Sequence, residues 1–134
     1  MKTILTTGAI MMAMAIGLGA LGAHAFENIL SDKQMDAYDT ASLYLLIQSL
    51  GVLIISVLPI EEKGKKRICW LLITGILLFS GSIYLLSMRE VLGISSGFKK
   101  ILGPITPIGG MLLIISWILL ALKIVRNGLV GSDK

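Results

Sequence analysis

The sequence predicts an all-α integral membrane protein, a four-helix up-and-down transmembrane bundle. Two observations carry that expectation. Apolar residues make up 55% of the 134 and charged residues only 15%, whereas a soluble domain uses about a quarter charged residues to coat its surface. The charges are also bunched, with none between Lys2 and Glu27, Asp39 and Glu61, Arg67 and Arg89, or Lys100 and Lys123. Each of those gaps is about 20 residues or more, and a helix of that length spans roughly 30 Å of hydrocarbon. A mean hydropathy of +0.89 agrees. Backbone groups in lipid must be paired within their own element, which confines irregular chain to the ends. The expected organisation is one membrane domain over 1–134, with helices at about 3–25, 40–60, 68–88 and 105–126.

The first run is rich in Met, Ala and Gly. Gly8, Met12, Ala15, Gly19 and Gly22 fall on one helical face, and Ala15, Gly19 and Ala23 repeat every four residues. Small residues at that spacing let helix backbones approach closely in lipid. The stretch also admits a signal-peptide reading, because Ala23-His24-Ala25 fits a small-x-small cleavage pattern, although the apolar part exceeds the usual core of about 7–15 residues. His24, the only histidine, ends this run. It reads either as a proton-responsive group at the membrane edge or as an interfacial residue meeting helix-end carbonyls and water.

In the polar connector 26–39, Ser31 and Gln34 have capping-box spacing, so a helix should begin near Asp32. Asp32, Asp36 and Asp39 then share a face. Without loop glycines or a calcium-loop pattern they read as a solvated acidic surface. In the second run Tyr44, Gln48 and Gly51 share a face. The Gln48 amide lies deep enough in the run to require a partner on another helix. The turn 61–67 holds Lys63, Lys65, Lys66 and Arg67, which suits an orientation signal.

In the third run Ser80, Tyr84 and Ser87 fall on one face with Gly81 beside them. Such hydroxyls bond back to their own helix, bond across to a neighbour, or line a polar path. Cys69 has no second cysteine to pair with and reads as a packing residue; Trp70 reads as an interface anchor. Before the fourth run comes Gly103-Pro104-Ile105-Thr106-Pro107-Ile108-Gly109-Gly110. Thr106 is placed as an N-cap with Pro107 at the first helical position and Pro104 stiffening the approach. Gly109 and Gly110 would then lie in the first turn and pack against the ends of the first and third helices. A minority reading has first-turn N–H groups beside Thr106 and Gly109 facing an anion. Gly109, Leu113 and Ser116 continue a narrow seam.

The basic residues divide unequally. Lys2, Lys63, Lys65, Lys66, Arg67, Lys123, Arg126 and Lys134 lie on one side; Lys33, Arg89, Lys99 and Lys100 lie on the other. The positive-inside rule then places both termini and the 61–67 turn in the cytoplasm. The net charge of +4 therefore suits topology and lipid headgroups better than nucleic acid.

Four motifs occur in order: Leu18-Gly19-Ala20-Leu21-Gly22-Ala23-His24, Tyr38-Asp39-Thr40-Ala41, Phe79-Ser80-Gly81-Ser82-Ile83-Tyr84, and the 103–110 stretch. Together they resemble the small membrane family known as domain of unknown function 423, which is similar to eukaryotic transmembrane protein 256. The resemblance covers nearly the whole chain. It implies four helices, a bacterial inner-membrane setting, a retained first helix and no established activity. Family members often carry a histidine followed by Ala-Leu in the second helix, where this chain has Gln48 followed by Ser49-Leu50. A histidine pair between the first two helices is therefore absent here, and glutamine hydrogen-bonds without titrating.

These features suit an accessory or structural membrane component that works through lipid, other membrane proteins or self-association. The alternative is a conduit or carrier for a small solute or ion, lined by Gln48, Ser80, Tyr84 and Thr106. An intramembrane enzyme is the weakest reading. His24 with Cys69 is the sole imaginable pairing, and the expected topology puts them at opposite faces, about 30 Å apart. No cofactor or metal is expected, and a lone histidine at a helix end makes a poor haem ligand set.

Overall fold

The computed structural model describes residues 1–127; Lys134 and the polar tail counted in the charge balance lie outside the described residues. Four helices follow one another: α1 (Lys2–Leu21), α2 (Asp32–Val57), α3 (Glu62–Ser87) and α4 (Ser96–Asn127). All four are long and apolar enough to cross a membrane. They pack in sequence, α1 on α2, α2 on α3 and α3 on α4, with a light touch between α1 and α3. The outward faces carry large apolar residues such as Ile10, Ile16, Leu50, Ile54, Leu77 and Ile114. A soluble protein would bury most of these; in a bilayer they meet acyl chains.

α1 continues without a break into a π-helical turn, Gly22–Phe26, that carries His24 exposed to the surroundings. Its packed face runs through Ile4, Gly8, Met11, Ala15 and Gly22. Gly19 has open space where a Cβ would stand and Ala23 is exposed, so the expected Ala15–Gly19–Ala23 seam is displaced. Ile4, Gly8, Met11, Ala15 and Gly22 follow the regular helical stripe, and Gly19 and Ala23 fall one residue to its side.

α2 begins where the capping box requires. The Ser31 backbone N–H donates to Gln34 Oε1 at 2.9 Å, and the Ser31 side chain accepts from the Gln34 backbone. It ends at Val57, just before Pro59. Lys65 closes the turn by donating from Nζ to the Leu58 carbonyl at 2.8 Å, one of the orphan acceptors at a helix C-terminus.

The fourth helix departs from expectation. It starts at Ser96, not near 105, so Pro104 and Pro107 lie inside it. Gly93, at φ +63°, makes the turn before it, a backbone state that glycine adopts at little cost. Each proline withholds one N–H, from the carbonyls of Lys100 and Gly103. Both residues are exposed in the N-terminal part of the helix, on the side nearer a membrane surface, where water or headgroups can reach a freed carbonyl; deeper in lipid the same loss would be costly. Thr106 is therefore no N-cap, and Gly109 and Gly110 are not in a first turn. The anion reading based on free first-turn N–H groups is withdrawn.

Candidate functional site

Chemistry-bearing side chains collect in the half of the bundle where α1 ends, α2 begins, α3 ends and α4 begins. Tyr38 is fully buried at the centre. Its ring lies over Gly22, where a Cβ would stand 2.6 Å from Tyr38 Cε1. It also meets Phe26 and Tyr84 edge-on, with ring centres 5.6 and 4.9 Å away. Its hydroxyl donates to the Leu18 carbonyl at 2.7 Å, which ties α2 to α1.

Two hydroxyl relays surround it. Tyr84 on α3 donates to Ser42 Oγ on α2 at 2.9 Å, and Ser42 donates to the Tyr38 carbonyl at 3.1 Å. Thr106 on α4 and Ser82 on α3 lie 2.6 Å apart, and Ser82 donates to the Phe79 carbonyl at 3.0 Å. A hydroxyl has one hydrogen, so Thr106 is the donor of that pair. Ser80 crosses from α3 to α2 and donates to the Ala41 carbonyl at 2.9 Å. Ser87 turns back onto the Tyr84 carbonyl at 3.0 Å. Each chain ends on a backbone acceptor.

Gln48 sits lower and looks toward α4. Its Oε1 accepts from the Trp117 indole N–H at 3.0 Å. Trp117 also lies over Gly51, with Cζ2 3.0 Å from where a Cβ would stand. A groove of about 440 Å³ runs beside this pair, bordered by Tyr44, Phe79, Gly110 and Ile114 among others. A second cleft, of about 730 Å³, opens at the end of the bundle where α2 begins, among Ser31, Lys33, Thr40, Arg89, Lys99 and Thr106.

Glycine settles the α3–α4 spacing. A Cβ on Gly109 would fall 2.8 Å from both the Gly75 carbonyl oxygen and Phe79 Cα, so the two backbones touch. Leu113 and Ser116 continue this contact, both buried.

The sequence-derived positions thus separate. Ser80, Tyr84 and Thr106 join the hydroxyl seam, Gln48 and Gly110 border the lower groove, and Gly109 packs against mid-α3. Gly81 has open space beside it, Pro104 and Pro107 are exposed, and His24 lies apart on the π turn. Position 48 faces Trp117 rather than α1. Tyr38, Ser42, Ser82 and Trp117 were missed as site residues. A tryptophan in the middle of an apolar run, away from the usual interfacial belt, was the available signal for Trp117. Tyr38 had none beyond its motif.

The model of the family described as a protein of unknown function, DUF423, matches residues 18–110. The chain belongs to the DUF423 family. A UPF0382 membrane protein of Staphylococcus epidermidis is 40% identical over 127 residues, covering 94% of this chain and 98% of that protein. The UPF0382 membrane protein YwdK of Bacillus subtilis is 37% identical, with the same two coverages. A fission yeast relative, from Schizosaccharomyces pombe, is 38% identical over 119 residues, covering 86% of this chain and 95% of its own. No solved structure matches the chain. The family match spans the hydroxyl seam from the Leu18 carbonyl to Thr106 and stops at Gly110; Trp117 lies beyond it.

Proposed function

We propose that the protein is a non-enzymatic accessory or structural component of the bacterial inner membrane, with both termini cytoplasmic, acting through lipid or neighbouring membrane proteins. The closed hydroxyl seam carries this reading. Tyr84, Ser42, Thr106, Ser82, Ser80 and Tyr38 spend their hydrogens on one another or on backbone carbonyls. Every fully buried side-chain nitrogen and oxygen among the described residues has a partner. Such a network locks helices together and leaves none of these hydroxyl hydrogens free to pass on or to solvate an anion. The orientation draws on the excess of basic residues beside α1, the α2–α3 turn and the end of α4.

The conduit reading draws on the second cleft, which reaches Thr106. Below it, the contact of Gly109 with Phe79 leaves no gap between α3 and α4 at that level. Reconstitution into liposomes tests the choice. Flux of protons, ions and small neutral solutes should match empty vesicles. Flux above that background that falls with Gln48→Leu or Tyr84→Phe would establish a lined pathway instead.

A further inference from the structure

The groove between α2 and α4 contains a polar group with an unmet valence. An indole N–H only donates, so the bond from Trp117 fixes Gln48 Oε1 toward it and turns the Gln48 amide nitrogen the other way. Among the described residues, no acceptor reaches that Nε2. Gln48 is 8% exposed, yet all fully buried side-chain nitrogens and oxygens are partnered. Nε2 therefore keeps its access to the surface that Gln48 borders, which is the groove. It lies nine residues past Asp39, about 13 Å along the helix and within the hydrocarbon. An unpartnered amide donor there is costly.

The rest of the lining describes what would satisfy it. Tyr44 and Phe79 pack at 4.8 Å between ring centres, and Trp117 forms a third aromatic wall. Tyr44 is 40% exposed, and its hydroxyl has no partner among the described residues, which adds a second polar handle one turn from Gln48. The remaining lining is Gly110, Leu113, Ile114 and Ile118. The volume is that of a small-molecule pocket. The lining covers little more than two turns of α4, too short a trough to seat a helix along its length. Phospholipid ester carbonyls lie nearer the interface than this depth.

We infer that the groove binds a membrane-dissolved cyclic carbonyl compound of the quinone class, its carbonyl oxygen accepting from Gln48 Nε2 and its ring lying among Tyr44, Phe79 and Trp117. This ligand is independent of the accessory reading, because a bound molecule is compatible with either absence or presence of flux.

Trp117 supplies the assay. The chain has two tryptophans, and Trp70→Phe leaves Trp117 as the sole emitter. The protein is placed in phosphatidylcholine vesicles and titrated with a para-benzoquinone bearing a short alkyl chain. Expected is saturable quenching with an unchanged excited-state lifetime, which marks a bound complex rather than collision. An alkyl aryl ketone that does not quench should restore emission by competition; the corresponding alkylbenzene, lacking the oxygen, should not. Gln48→Met should raise half-saturation about tenfold, the factor for one lost hydrogen bond. Gly110→Leu, which fills the groove and leaves Gln48 in place, should abolish saturation and covers the case in which Gln48→Met fails to fold. Quenching that rises linearly with quinone, or that is the same in a folded Gly110→Leu protein, overturns the inference. So does efficient Ile114→Cys cross-linking between two chains in the membrane, which would make the occupant a second copy.

Discussion

The backbone of Gly109 on α4 rests directly against Phe79 on α3. A methyl group at Gly109 would meet Phe79 Cα and the Gly75 carbonyl, each at 2.8 Å. Neither is the flexible end of a side chain. Gly109→Ala should therefore push the helices apart and cost roughly 1–3 kcal/mol, with Gly109→Leu impairing folding or assembly outright. Gly81→Ala, where nothing lies within 4 Å, should be neutral or slightly stabilising through helix propensity. Thermal unfolding in mild detergent compares the two, and equal melting temperatures would refute the close approach.

Tyr38 and Gly22 form the corresponding contact between α2 and α1. Gly22→Ala should cost roughly 1–3 kcal/mol, because the ring is held between Phe26 and Tyr84. In a Tyr38→Leu background most of that penalty should vanish, and a double-mutant cycle reads the coupling. Tyr38→Phe keeps the ring and loses only the bond to the Leu18 carbonyl, which still accepts from the Gly22 N–H. That change should cost about 0.5–1 kcal/mol.

Ser80→Ala and Tyr84→Phe should each weaken the bundle by a similar amount, about 0.5–1.5 kcal/mol. Ser80 donates to α2, and Tyr84 donates to Ser42. Neither change should alter solute flux. His24→Ala, on the exposed π turn, should leave insertion and melting unchanged.

At the opposite end Glu61 pairs with Lys123, whose side chain lies across Gly64. The hydrogen bond and the charge of Lys123 hold the Glu61 carboxyl below the usual carboxylate range. Its contribution to stability is present above the unfolded-state value and is lost as pH falls through the lower folded-state value. Glu61→Gln should thus lower the melting temperature slightly at pH 7, and that difference should shrink as the pH is taken down through the acid range. The effect is small because the pair is exposed. A difference that grows toward acid pH would contradict it.

The intact mass of protein purified from membranes should include residues 1–25, since α1 supplies the Leu18 carbonyl and the Gly22 surface that seat Tyr38. A mature chain starting near Phe26 would remove that half of the contact.

How far the residues alone reach depends on whether the signal is local. Charge-free runs about 20 residues long announce four spans, because transfer into hydrocarbon sums over neighbours in sequence. Ser31 and Gln34 announce the start of α2, because a capping box closes within four residues. The shared face of Ser80, Tyr84 and Ser87, and that of Gly109, Leu113 and Ser116, follow from helical spacing. The start of α4 did not follow, because a Thr-Pro pair reads as a helix start, whereas Pro104 and Pro107 are carried inside the helix with their rings on its exposed face.

Tertiary structure alone decided the partners. Nothing within Gln48's own run states that its amide meets Trp117, 69 residues away. Nor does anything near Tyr38 state that Gly22 clears space for its ring. In lipid, apolar faces gain little by meeting one another, so helix pairing is set by shape and by single hydrogen bonds between distant residues. The sequence by itself determined four runs long and apolar enough to cross the membrane; which backbones touch, and which amide is left facing a groove, emerged only when the helices were packed.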